Sequence, residues 1–169
     1  MRPLRELVAL VFAKVAAMSP PPLPQFLQGE VVKGFGRGSK QLGCPTANFH
    51  LEVVKKLPRG FEPGVYYGWA QVDSGPVYKM VANIGWCPFY KNEEMSVETH
   101  IMHKFSSDFY GANLKIAIVG YLRGEKNFDS LDDLIIAIKQ DIADGEDRLE
   151  EPDARLVRNH SFFTTEVVT

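Results

Sequence analysis

The chain has 169 residues, enough for one domain and a short extension; a domain of that size buries about 70% of its unfolded surface and needs no disulfide or metal staple. Apolar residues make up 45% and charged residues 24%, which excludes a disordered or collagen-like chain. The balance of 19 Lys and Arg against 21 Asp and Glu gives a net charge of −2, so nothing global points to nucleic acid, and two cysteines exclude a disulfide framework.

Residues 1–24 differ in character from the rest. Leu7 to Met18 is apolar except for Lys14, too short to span a bilayer, and Arg2, Arg5 and Lys14 accompany a single acid, Glu6. The segment reads either as a transit- or signal-like leader or as an extension without a part in folding. Pro20, Pro21, Pro22 and Pro24 make a stiff spacer that ends any helix, so the folded domain is expected over 25–165, with 166–169 as a tail. The closing SFFTTEVVT is β-prone and either packs back or hangs free. Cysteine usage suggests a cytoplasmic protein without membrane insertion, with mitochondrial import through the leader as the alternative.

From Phe26 onward the apolar signal is short and strand-like, bounded by Gly and Pro. Strands are expected at 29–33, 64–72, 77–84, 95–102 and 114–122. Asp73-Ser74-Gly75-Pro76 reads as a hairpin turn in which Gly supplies a positive φ. One strong helix is expected from Leu131 to about Leu149, with Leu131, Leu134, Ile135, Ile138, Ile142 and Leu149 near one face. Ser130 and Asp133 resemble a capping box at its start, and Gly145 is a weak point near its end. Strands first and a helix last predict a mainly β fold: a closed or split antiparallel β-barrel of about six strands, Greek-key-like, with a C-terminal α-helix packed outside.

Charge is unevenly spread. Residues 1–59 hold nine Lys or Arg against three acids, while 131–155 hold three against nine. The acidic block reads as the solvated face of the helix, but the basic block coincides with a run of glycines. In Gly34-Phe35-Gly36-Arg37-Gly38-Ser39-Lys40, alternating glycines let the backbone approach a ligand and present N–H groups to an anion. A Gly-rich hairpin with solubilising charges fits the same stretch. The spacing is neither the G-x-G-x-x-G of dinucleotide folds nor a P-loop. Beyond it, Thr46 and Asn48 stand at i and i+2, so in extended backbone their neutral oxygens face the same way. That pair suits magnesium already held by nucleotide phosphates; turn-forming residues after a proline are the bland alternative.

Residues 95–103 alternate in character: Glu98, His100 and Met102 share one face of a strand, and Val97, Thr99 and Ile101 the other. Glu98 is a candidate general base for a hydroxyl group, or simply an ion-paired surface acid. His100 and His103 diverge on a strand, which argues against a histidine metal site.

The run GFGRGSKQLG-x-PTANF resembles the signature of the riboflavin kinase (flavokinase) family. GVYYGWA, NIGW-x-P-F-Y, ETHIMH, FYG and VGYLR-x-EKNFDSL agree with it in order and spacing, over about residues 25–165. The resemblance is to the monofunctional eukaryotic type, and Cys44 departs from it where an aliphatic residue is expected. It implies phosphorylation of riboflavin at the ribityl 5′-hydroxyl by ATP, giving FMN and ADP, in a monomeric enzyme without nucleic-acid partners. By the same resemblance Glu98 is the catalytic base, and Gly34, Lys40, Thr46, Ile101, His103 and Tyr110 are ATP-binding. Thr46 and Asn48 would hold Mg2+, with Zn2+ or Mn2+ as alternatives. Arg123, Lys126 and Phe128 would bind the flavin, Phe128 as an aromatic face and the two cations at the ring's polar edge or the product phosphate. A non-catalytic flavin- or nucleotide-binding barrel is the competing reading, favoured if Glu98 points away from Thr46 and Asn48.

Overall fold

Every second residue along the expected strands turns to one interior. Tyr66 and Ala70, then Met80, Ala82 and Ile84, then Val97 and Ile101, then Leu114, Ile116 and Ile118 join in a single buried core. Each fully buried aliphatic side chain contributes roughly 1.5–3 kcal/mol, so this interior dominates the stability. The computed structural model describes residues 21–35 and 40–165; the leader over 1–20, the middle of the glycine loop and the tail over 166–169 lie outside the described residues.

Six strands enclose this core: β1 (Gln25–Val32), β2 (Ala47–Phe49), β3 (Gly64–Val72), β4 (Val77–Trp86), β5 (Met95–Ile101) and β6 (Asn113–Gly124). They form a closed barrel in the order β1-β2-β5-β4-β3-β6, antiparallel throughout and closed by pairing of β1 with β6. β3, β4 and β5 run as consecutive neighbours and β6 returns beside β3, which is the Greek-key arrangement. The expected antiparallel barrel with an outside helix is therefore the observed architecture.

Differences from the sequence reading are local. β2 has three residues, too few to show a period, although the extended backbone expected at Thr46–Asn48 continues into it. β1 begins four residues before the expected strand because Gln25 to Glu30 pair with β6. In the β3–β4 turn the left-handed residue is Asp73, with φ 51°, rather than a glycine. Its carboxylate accepts a hydrogen bond from the Asn113 N–H at 2.9 Å and so fixes the turn to the start of β6.

Four α-helices lie outside the barrel among the described residues: α1 (Leu51–Val54), α2 (Leu131–Arg148), α3 (Pro152–Arg158) and α4 (Ser161–Thr164). The Ser130 side chain caps α2 by accepting from the Asp133 N–H, as expected. Leu131 is a correction: it is 59% exposed, because α2 crosses the barrel only from its second turn onward. Gly145 is another. It does not end the helix but lets it approach, since a Cβ there would lie 2.7 Å from Cγ1 of Val81. The β-prone SFFTT segment is helical at α4 instead, because Phe163 packs with Trp69, Ala117, Leu149 and Ala154 against the barrel.

Candidate active site

Alternation in β2 sends Ala47 and Phe49 into the core, so Asn48 faces outward. The register sets Asn48 directly opposite Glu98 on β5, and paired residues share a face. The Asn48 carboxamide is nevertheless buried, and Gly34 lies directly against it. A Cβ on Gly34 would lie 2.4 Å from Asn48 Nδ2, so only glycine permits that approach. On the other side, His100 Nδ1 lies 2.9 Å from the Pro45 carbonyl oxygen, tying β5 to the chain just before Thr46.

Gly34, Pro45, Asn48 and Glu98 border one cavity of about 420 Å³. Glu98, Thr46 and Asn48 line it together, with Gly34 and Lys40 from the glycine loop. Ile101, His103 and Tyr110 complete the expected set on its far wall. Glu98 therefore does not point away from Thr46 and Asn48, the arrangement that would favour a non-catalytic barrel. The far wall is aromatic: His103 stacks on Tyr78 at 4.1 Å, packs edge-on against Phe105 at 4.8 Å, and Phe105 meets Phe109 at 4.6 Å. Such a wall suits a planar, electron-poor ring system.

Lys40 donates to both carboxylate oxygens of Asp108 at 2.9 and 3.0 Å. That hydrogen bond and the attraction behind it push the Lys40 ammonium above its ordinary value, so it is charged at the cavity edge. Asp108 was not legible beforehand: 68 residues separate it from Lys40, and no spacing rule connects them. Burial pushes the Cys44 thiol up, partly opposed by the charge of Lys139 on α2, so Cys44 is not an activated nucleophile. Among the described residues no group of three or more His, Cys, Asp or Glu is placed to share a metal ion. Thr46 and Asn48 offer neutral oxygens instead, and this set fits a hard divalent cation whose remaining ligands are phosphate and water.

The expected flavin residues stand outside the cavity. Arg123 donates to Asp141 of α2 through Nε at 2.7 Å and Nη2 at 2.6 Å, and to the Gly124 carbonyl through Nη1 at 2.9 Å. Its guanidinium carbon lies 5.9 Å from the Phe128 ring centroid, while Lys126 is exposed. Arg123 is thus largely engaged in bracing the loop that carries Lys126 and Phe128. The two groups are still connected. Asn48 pairs with Glu98, Glu98 with Asn83, Asn83 with Val65, and Val65 with Arg123, so one row crosses five strands on the barrel's outer face.

Comparison with known proteins identifies the family and the fold. The flavokinase family profile, described as riboflavin kinase, matches residues 21–149. The chain belongs to the riboflavin kinase family. It is 60% identical to human riboflavin kinase over 141 residues, covering 83% of this chain and 91% of the human one. The mouse riboflavin kinase is 57% identical over the same coverage. Among solved structures, riboflavin kinase from Trypanosoma brucei superposes with a TM-score of 0.69 at 32% identity, covering 85% of this chain and 91% of that one. As in other riboflavin kinases, then, the barrel serves an enzyme, and the cross-strand row runs from PTAN and ETH on adjacent β2 and β5 to VGYLR on β6, further round beyond β4 and β3.

Proposed function

We propose that the protein transfers the γ-phosphoryl group of ATP to the 5′-hydroxyl of riboflavin, with Glu98 as general base. The single observation that carries this reading is the direct pairing of Glu98 with Asn48 at the wall of one cavity. A carboxylate there meets an arriving alcohol beside the phosphate it will attack. Glu98 orients the hydroxyl and takes its proton as the new O–P bond forms. The bond from the γ-phosphorus to the bridging oxygen breaks, and its electron pair leaves with ADP. Backbone N–H groups at the glycine loop and the Lys40 ammonium hold the phosphates, and the His103, Phe105 and Phe109 wall packs against the base. Positioning and electrostatics supply most of the acceleration in such reactions.

Thr46 and Asn48 would hold the divalent cation, Mg2+ by their oxygen-only chemistry rather than Zn2+. Bound there, it would neutralise charge on the phosphates. The test is direct: purified protein, riboflavin, ATP and a divalent cation are mixed and FMN is followed chromatographically. Glu98→Gln should fold normally and lose about 10²–10⁴-fold in turnover. Near-normal turnover in that variant removes Glu98 from the role.

A further inference from the structure

The outer-face row contains one polar residue to which neither the motif nor the cavity gives a part. Asn83 on β4 lies between Glu98 on β5 and, through Val65 on β3, Arg123 on β6. Met80, Ala82 and Ile84 turn into the core, so Asn83 faces outward with Glu98. It is half-buried, and its carboxamide makes no hydrogen bond with any described residue. Beside it Gly85 leaves room for the exposed side chain of Glu125: a Cβ on Gly85 would lie 3.7 Å from Asn83 Nδ2 and 2.3 Å from Glu125 Oε1. By strand register Asn83 therefore stands on the outer face between the proposed base and the Arg123–Phe128 cluster.

Strands are spaced about 4.8 Å apart, so the row from Glu98 to Arg123 covers about 14 Å. An acceptor whose reacting alcohol meets Glu98 and whose ring meets Phe128 must cross β4 between them. For riboflavin the part that crosses is the polyol chain. We propose that Asn83 is a substrate-binding residue for that chain, its carboxamide donating to one chain hydroxyl and accepting from another. An amide carries two donors and an acceptor with two lone pairs, which matches adjacent hydroxyls that are each donor and acceptor. A site built to hydrogen-bond hydroxyl groups also rejects analogues that lack them. This inference rests on the riboflavin kinase reading above and adds to it the recognition of the acceptor's chain.

The test compares riboflavin with lumiflavin, which keeps the ring and replaces the polyol chain by a methyl group. Flavin fluorescence titrations are run on wild type, Asn83→Leu and Asn83→Ser, with KM for ATP measured alongside. Asn83→Leu should weaken riboflavin binding about tenfold, the loss of one or two neutral hydrogen bonds. Lumiflavin affinity and KM for ATP should stay at wild-type values, and Asn83→Ser should recover part of the riboflavin affinity. Equal weakening of both flavins, or of neither, overturns the assignment, and Asn83→Ser decides the same comparison where leucine is not tolerated. Wild-type protein that forms no FMN overturns the kinase reading itself, whereas normal FMN formation with unselective binding loss removes only Asn83.

Discussion

Gly34 and Asn48 meet in a contact that exists because one residue has no side chain. Adding a methyl at Gly34 drives it into the end of the Asn48 carboxamide, a flexible group that will turn away rather than unfold the protein. Gly34→Ala is therefore expected to raise the divalent-cation requirement about tenfold, read by titrating activity with metal, while thermal stability stays within about 0.5 kcal/mol. Tyr66 is a second residue with a measurable signature. Its hydroxyl donates to the Glu62 carbonyl at 2.7 Å, and burial, followed by Tyr121 and Glu62, pushes it up from 10.0 to about 12. Folding thus favours the neutral phenol. The stability that this gives is complete below pH 10 and is lost as pH rises towards 12, because the unfolded chain ionises first. Tyr66→Phe should cost about 1 kcal/mol at pH 7 and less above pH 10, as urea denaturation at pH 7 and 11 would record. That Thr46 and Asn48 face the same way was legible from spacing because i, i+2 geometry is local; Glu98 was singled out as a base by the family resemblance, and Asn83 stood only inside the NIGW segment. Its neighbours depend on the β4–β5 register, which no single segment encodes.

At the scale of elements, the strands were easiest to read where alternation was long, and β3 falls on its expected residues. Three-residue β2 and the short helices α1, α3 and α4 carry too few residues for a period, so tertiary contacts decide them. α4 is the clearest case: a β-prone sequence becomes helical because Phe163 packs against the barrel, and its end is also held by a barrel lysine. The buried Lys115 ammonium donates to the Phe162 carbonyl at 3.0 Å and the Thr165 carbonyl at 2.6 Å, at the helix end that attracts positive charge. Lys115→Ala leaves those carbonyls without that donor and should destabilise the protein by about 2 kcal/mol, seen as a lower Tm. Because Lys115 lies far along β6 from Arg123, KM values at low temperature should remain unchanged. A loss of catalysis without a loss of Tm would count against this purely structural role.

For the molecule as a whole, closing the sheet removes free edges and makes every strand both a wall of the core and a support for the outer face. On the reading proposed above, chemistry sits on the outside of this barrel while its hydrophobic interior fixes the register. The same β4 and β5 residues that pack inward through Ile84 and Val97 hold Asn83 and Glu98 outward at one level. Backbone ladders do not stretch when a side chain is exchanged, so the span from Glu98 to Arg123 acts as a ruler laid across the sheet. On the kinase reading, it gauges acceptors by length. A flavin analogue with one carbon fewer in its chain would anchor its ring and stop short of the carboxylate. Misplacement by about 1 Å costs about a hundredfold in rate, so that analogue should bind well and turn over poorly, a split visible in kcat against Kd.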